Sequence, residues 1–90
     1  HEIWSFRHQT RRVGVGKTLR LLIGASALVR WTTTGWQDAH DLESRPGGLF
    51  DLFVADIPTG ELLSGMEVEF TFYWIDVGTW EGRDFLVRIA

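Results

Sequence analysis

Two of the five tryptophans in this chain of ninety residues stand in glycine-containing turns, where an aromatic side chain is free to meet a ligand. Trp36 closes the run Thr32-Thr33-Thr34-Gly35-Trp36, and Trp80 sits at the centre of Gly78-Thr79-Trp80-Glu81-Gly82. Pyranose rings present flat patches of C–H bonds that stack on an indole face, and a rigid Trp side chain loses little entropy in receiving them. The competing expectation is that both indoles fold back and close the ends of the fold. Trp4, Trp31 and Trp74 differ, because each falls on the apolar side of an alternating segment and is expected in the core.

The other groupings carry less chemistry. His40 with Asp38, Asp41 and Glu43 is the one cluster that resembles a metal site, and its oxygen-rich content suits calcium better than zinc. A charged loop facing water accounts for it as well, so no metal and no cofactor are expected. Gly14-Val15-Gly16-Lys17-Thr18 shares the end of a phosphate-binding loop, but Arg11 stands where the first glycine of that pattern belongs. Residues 18 to 23 also read as a strand, whereas the pattern needs a helix whose N–H groups cradle the phosphates. There is no Cys, and the three His have no Ser or Asp at a nucleophile spacing. The chain is therefore expected not to be an enzyme.

Charge is unevenly spread. Residues 1 to 30 hold six basic and one acidic side chain, against three basic and eleven acidic in residues 31 to 90. Complementary strand faces explain this, since opposite charges on neighbouring strands attract. The sharper reading, a polyanion patch of Arg7, Arg11, Arg12 and Lys17, is opposed by the net charge of −3, and no nucleic-acid partner is expected.

The elements that must position these groups are strands. Met66, Val68, Phe70, Phe72 and Trp74 alternate with Glu67, Glu69, Thr71 and Tyr73, the period of a half-buried strand. Leu19, Leu21 and Ile23 share one face of an early strand, and Phe85, Val87 and Ile89 one face of the last. Trp4 and Phe6 mark a strand over residues 2 to 7, and Ala27, Val29 and Trp31 point inward from residues 27 to 32, so that Arg30 points outward. Residues 49 to 55 place Phe50, Leu52 and Val54 on one face, and residues 38 to 43 form a short irregular strand. Gly and Pro interrupt the chain about every ten residues, as hairpin turns require. Six to eight strands in an antiparallel two-sheet sandwich satisfy this pattern.

Ninety residues make one domain with one core, since a second core needs roughly another hundred. Residues 1 to 90 are thus read as a single β-sandwich domain cut from a larger protein. No apolar run approaches the roughly 18 residues of a membrane span, so no membrane partner is expected. The absence of Cys leaves stability to the core and leaves the compartment open.

The run Val29-Arg30-Trp31 through Gly35-Trp36, then Phe70-Thr71-Phe72-Tyr73-Trp74 and Trp80-Glu81-Gly82-Arg83-Asp84-Phe85, resembles the immunoglobulin-like starch-binding modules appended to amylases. It is similar also to the carboxy-terminal β-sandwich domain of bacterial glucoamylase-type glycoside hydrolases. The resemblance spans residues 19 to 89 and rests on aromatics and glycines at approximate spacing. It implies an immunoglobulin-like sandwich that binds α-glucan, a polysaccharide or oligosaccharide, beside the catalytic domain of its parent chain. It makes Trp36 and Trp80 the sugar platform and Arg30 their hydrogen-bonding neighbour. Where the family usually carries asparagines after the second Trp, this chain has Glu81, Gly82, Arg83 and Asp84, which removes amide contacts to sugar hydroxyls. A structural accessory domain docked on a partner, without ligand, is the alternative.

Overall fold

The computed structural model describes residues 1–48 and 50–90, and these form strands and turns without a helix. The strands are β1 (Glu2–Ser5), β2 (Arg12–Val13), β3 (Leu19–Ile23), β4 (Ala27–Thr32), β5 (His40–Glu43), β6 (Arg45–Pro46), β7 (Phe53–Ile57), β8 (Glu67–Trp74), β9 (Thr79–Trp80) and β10 (Phe85–Ile89). One sheet has the order β1-β3-β7-β6 and the other β2-β10-β8-β4-β5, with β9 added to the end of β8. The two-sheet sandwich read from the alternating residues is present. It has more strands than expected because β2, β6 and β9, of two residues each, are too short to show a period.

The sheets are mixed rather than wholly antiparallel. β1 runs parallel to β3, and β2 runs parallel to β10. Between β1 and β2 the chain passes from the edge of one sheet to the edge of the other, so one amino-terminal segment borders both.

The core lies between the sheets. Leu19, Leu21 and Ile23 of β3 meet Val68, Phe70 and Phe72 of β8, together with Phe85, Val87 and Ile89 of β10, in one buried cluster. Trp4 joins the layers: its ring lies edge-on to Phe70 at 5.1 Å and to Phe85 at 4.9 Å. Such edge-to-face pairs contribute about 0.5–1.5 kcal/mol beyond the area they bury. Among the described residues three polar side chains are buried, and each is satisfied. Thr59 accepts a hydrogen bond from Leu19 N–H (3.0 Å) and donates to the Lys17 carbonyl (2.6 Å). Ser44 accepts from Ala27 N–H, and Thr32 organises the loop that follows it.

Three expectations need correction. Trp31 shares the inward face with Val29 and Phe70 but is only half-buried, because its outer neighbour β5 is a polar edge strand and only the His40 ring, 4.6 Å away, lies against it there. Trp74 is also half-buried: it lies at the end of β8, stacked on Phe72 at 5.2 Å, with its indole N–H donating to Glu81. The strand expected at 49 to 55 begins at Phe53 instead. Phe50 and Asp51 have positive φ and form a turn that leaves Phe50 87% exposed, and Leu49 lies outside the described residues.

Candidate functional site

Outward residues of β4, β8 and β9 build the floor of a shallow depression on the larger sheet. Pairing of β4 with β8 sets Arg30 opposite Thr71, and pairing of β8 with β9 sets Tyr73 opposite Trp80. Residues at directly paired positions share a face, so Arg30, Thr71, Tyr73 and Trp80 all point away from the core. The depression, of about 310 Å³, is lined by Arg30, Trp36, Thr71, Trp80 and Asp84. It brings together the three residues singled out from the sequence, although they come from separate stretches of chain.

Trp80 is 45% exposed and is held from two sides. Tyr73 meets it edge-on at 5.1 Å, and the Arg30 guanidinium carbon lies over its ring, 4.9 Å from the centroid. Arg30 is itself fixed by a two-pronged ion pair with Asp41 of β5, Nε–Oδ1 2.8 Å and Nη2–Oδ2 3.0 Å. The hydrogen bonds from Arg30 hold the Asp41 carboxyl below the usual carboxylate range, and the same pairing raises Arg30. Arg30 is thus an oriented group with part of its fork already used, and the remaining N–H groups are available to a ligand.

Trp36 is carried by the loop between β4 and β5. Gly35 and Trp36 take successive positive φ angles, 63° and 73°, at the centre of a turn in which Gln37 N–H donates to the Thr34 carbonyl. That is the backbone of a type I′ turn, which favours Gly or Asn and costs a bulky side chain about 1–2 kcal/mol. The buried Thr32 hydroxyl stabilises the loop by accepting from the N–H groups of Thr34 (3.1 Å) and Trp36 (3.2 Å) and donating to the Asp38 carbonyl. The indole N–H of Trp36 is closed off from solvent and has no hydrogen-bond partner among the described residues.

The segment from Glu81 to Asp84 is laid on the sheet by two bonds. Glu81 N–H donates to the Phe72 carbonyl (2.8 Å), and the Thr71 hydroxyl donates to the Arg83 carbonyl (2.8 Å). Thr71, Asp84 and the anchoring role of Asp41 were not singled out from the sequence. The alternation of β8 carries a signal for Thr71, whereas Asp41 and Asp84 depend on strand register.

The remaining sequence candidates do not converge. Asp41 is occupied by Arg30, and among the described residues no three His, Cys, Asp or Glu side chains gather as metal ligands. Gly14 to Lys17 is a turn between β2 and β3, closed by Lys17 N–H on the Gly14 carbonyl, with no helix after it. Compared with protein-family models, characterised proteins and solved structures, the chain matches none.

Proposed function

We propose that this domain is a non-catalytic carbohydrate-binding module for α-glucan of the starch type, attached to the catalytic domain of a glycoside hydrolase. The observation that carries the reading is the convergence of Trp36, Trp80 and Arg30 on one shallow depression with Thr71 and Asp84. Two indoles offer faces for sugar rings, and Arg30, Thr71 and Asp84 offer donors and acceptors for hydroxyls. Support comes also from the local cost of Trp36. A bulky residue at positive φ with an unpaired buried N–H weakens the fold, and such strain concentrates at binding sites. The strand order supports the immunoglobulin-like label, since β1-β3-β7-β6 and β10-β8-β4 follow the ABED and GFC orders of that architecture, with the departure that β1 runs parallel to β3.

Titration of the domain with maltoheptaose into the millimolar range, followed by Trp fluorescence, tests the proposal. Trp36→Gly and Trp80→Ala should each abolish the response and leave the melting temperature within a few degrees of wild type. An intact domain that is silent to the sugar overturns it.

A second reading, an accessory domain docked on a catalytic partner, is favoured by a different region. Phe6, Gly24, Ala25 and Trp74, with Glu81 at the rim, line another open depression, and the adjoining β8–β9 turn exposes Ile75 and Val77. Apolar side chains at a turn tip suit a domain interface. In that reading the isolated domain ignores maltooligosaccharides, and Val77→Ser weakens its association with the partner.

A further inference from the structure

We infer that the aromatic depression continues into a basic strip made by Arg11, Arg12, Arg83 and Arg88, and that this strip takes the anionic groups, carboxylate or phosphate ester, of a glycan whose sugar rings lie on Trp36 and Trp80. The inference rests on the carbohydrate-binding reading and names a ligand class for it.

Continuity is the first support. Asp84 lines both the tryptophan depression and a neighbouring one at the edge of the sandwich, formed by Gln9, Thr10, Arg11, Arg83 and Leu86 over the rims of the buried Trp4 and Phe85. Arg11 and Leu86 in turn line a third, of about 410 Å³, completed by Arg12, Arg88 and Glu67. The first two hollows share Asp84 and the last two share Arg11 and Leu86, so a chain that leaves the indoles past Asp84 reaches the guanidiniums at the β10 and β2 edge.

Charge is the second support. Arg12 and Arg88 are register partners on parallel strands, and like charges directly opposite each other are unfavourable. Arg88 N–H donates to the Arg11 carbonyl (2.9 Å), and Arg11 lines the same hollow as Arg12 and Arg88. Glu67, the partner of Arg88 on its other side, forms the one ion pair in the group, at 2.9 Å. Arg11, Arg12 and Arg83 have no salt bridge among the described residues, although the chain as a whole carries an acidic excess. Protecting a sheet edge from unwanted pairing needs a charge or two but does not call for like charges facing each other. A ligand anion would relieve the repulsion and gain bidentate partners. Arg83 is prepared for this role, with its guanidinium laid over the Phe85 ring at 4.6 Å.

The test compares amylose, carboxymethyl-amylose and phosphorylated amylose of matched chain length by calorimetry. The charged polymers should bind about fivefold or more tightly at low salt, and the advantage should vanish near about 0.5 M salt, where screening acts within a few ångströms. The variant Arg11→Gln/Arg12→Gln should lose the same advantage while binding neutral amylose unchanged. The two charged polymers show whether carboxylate or phosphate is preferred. Equal affinity of wild type for charged and neutral polymers overturns the inference and leaves the module reading standing. Undiminished binding of the charged polymers by Trp36→Gly/Trp80→Ala also overturns it, because the strip would then act apart from the platform. Failure of all three polymers to bind removes the module reading and the inference together. The salt titration needs only the wild-type domain, so a variant that folds poorly does not spare the inference.

Discussion

Arg30 and Trp80 form a cation–π pair, with the guanidinium carbon 4.9 Å from the ring centroid, while Asp41 grips the same guanidinium from the neighbouring strand. An exposed pair of this kind contributes about 0.5–1 kcal/mol. In the module we propose, the pair would orient Trp80 before a ligand arrives, so that less freedom is lost on association.

Arg30→Lys keeps the charge but loses the planar fork that reaches Asp41 and Trp80 together. Maltoheptaose affinity should fall about fivefold with little change in melting temperature. Unchanged affinity would mean that the charge alone, and not the orientation of Trp80, matters.

Thr32→Val removes the hydroxyl on which the Trp36 loop is built but keeps the shape of the side chain. The expected cost is about 1–2 kcal/mol, because the part-buried N–H groups of Thr34 and Trp36 and the Asp38 carbonyl lose their partner. Sugar binding should fall nearly as far as in Trp36→Gly, although Thr32 does not line the depression. Rescue of binding by Thr32→Ser would identify the hydroxyl as the positioning group.

Phe72→Ala opens a cavity among Trp4, Phe6, Phe85 and Trp74, whose rings all lie within 6 Å of the Phe72 ring. Core Phe-to-Ala changes cost about 3–5 kcal/mol, most of the stability of a small domain. Chemical denaturation should show a variant largely unfolded or close to it, and a midpoint equal to wild type would contradict the packing.

Asp56 joins Arg20 of β3 and Arg45 of β6, with Arg20 Nε 2.8 Å and Arg45 Nη2 3.2 Å from its oxygens. The hydrogen bond from Arg20, and secondarily that from Arg45, holds the Asp56 carboxyl below its ordinary value. A carboxyl with a lowered folded-state pKa contributes stability that is complete above its unfolded value, near about 4, and is lost as pH falls below it. Asp41 acts in the same direction. The melting temperature should therefore hold steady from neutrality to about pH 5 and decline below about pH 4. Asp56→Asn should flatten part of that decline. A decline of equal steepness in the variant would assign the acid limb to other carboxylates.

The strands that make the core were legible in the residues themselves. Alternation in Leu19 to Ile23, Met66 to Trp74 and Phe85 to Ile89 assigns each side chain a face, and the buried residues of β3, β8 and β10 follow that assignment. Where the local signal failed, a neighbour or a turn intervened. Phe50 alternates correctly with Leu52 and Val54, yet positive φ at Phe50 and Asp51 turns the chain before the strand begins. Trp31 lies on the correct face but beside an edge strand that buries little of it.

The period of two is a property of adjacent residues, so the amino-acid sequence by itself determined the all-β class, the inward faces of the main strands and the outward direction of Arg30. It also singled out Trp36 and Trp80 as turn aromatics, which holds for Trp36, whereas Trp80 lies on the short strand β9 and is held there by pairing with Tyr73. Only the tertiary structure decided that these three share a depression with Thr71 and Asp84, and that Arg12 faces Arg88. Both relationships depend on strand order and register. Those are set by packing among segments far apart in the chain, where Trp4 of β1 touches Phe70 and Phe85 across the sandwich, and no local pattern encodes which distant edges will meet.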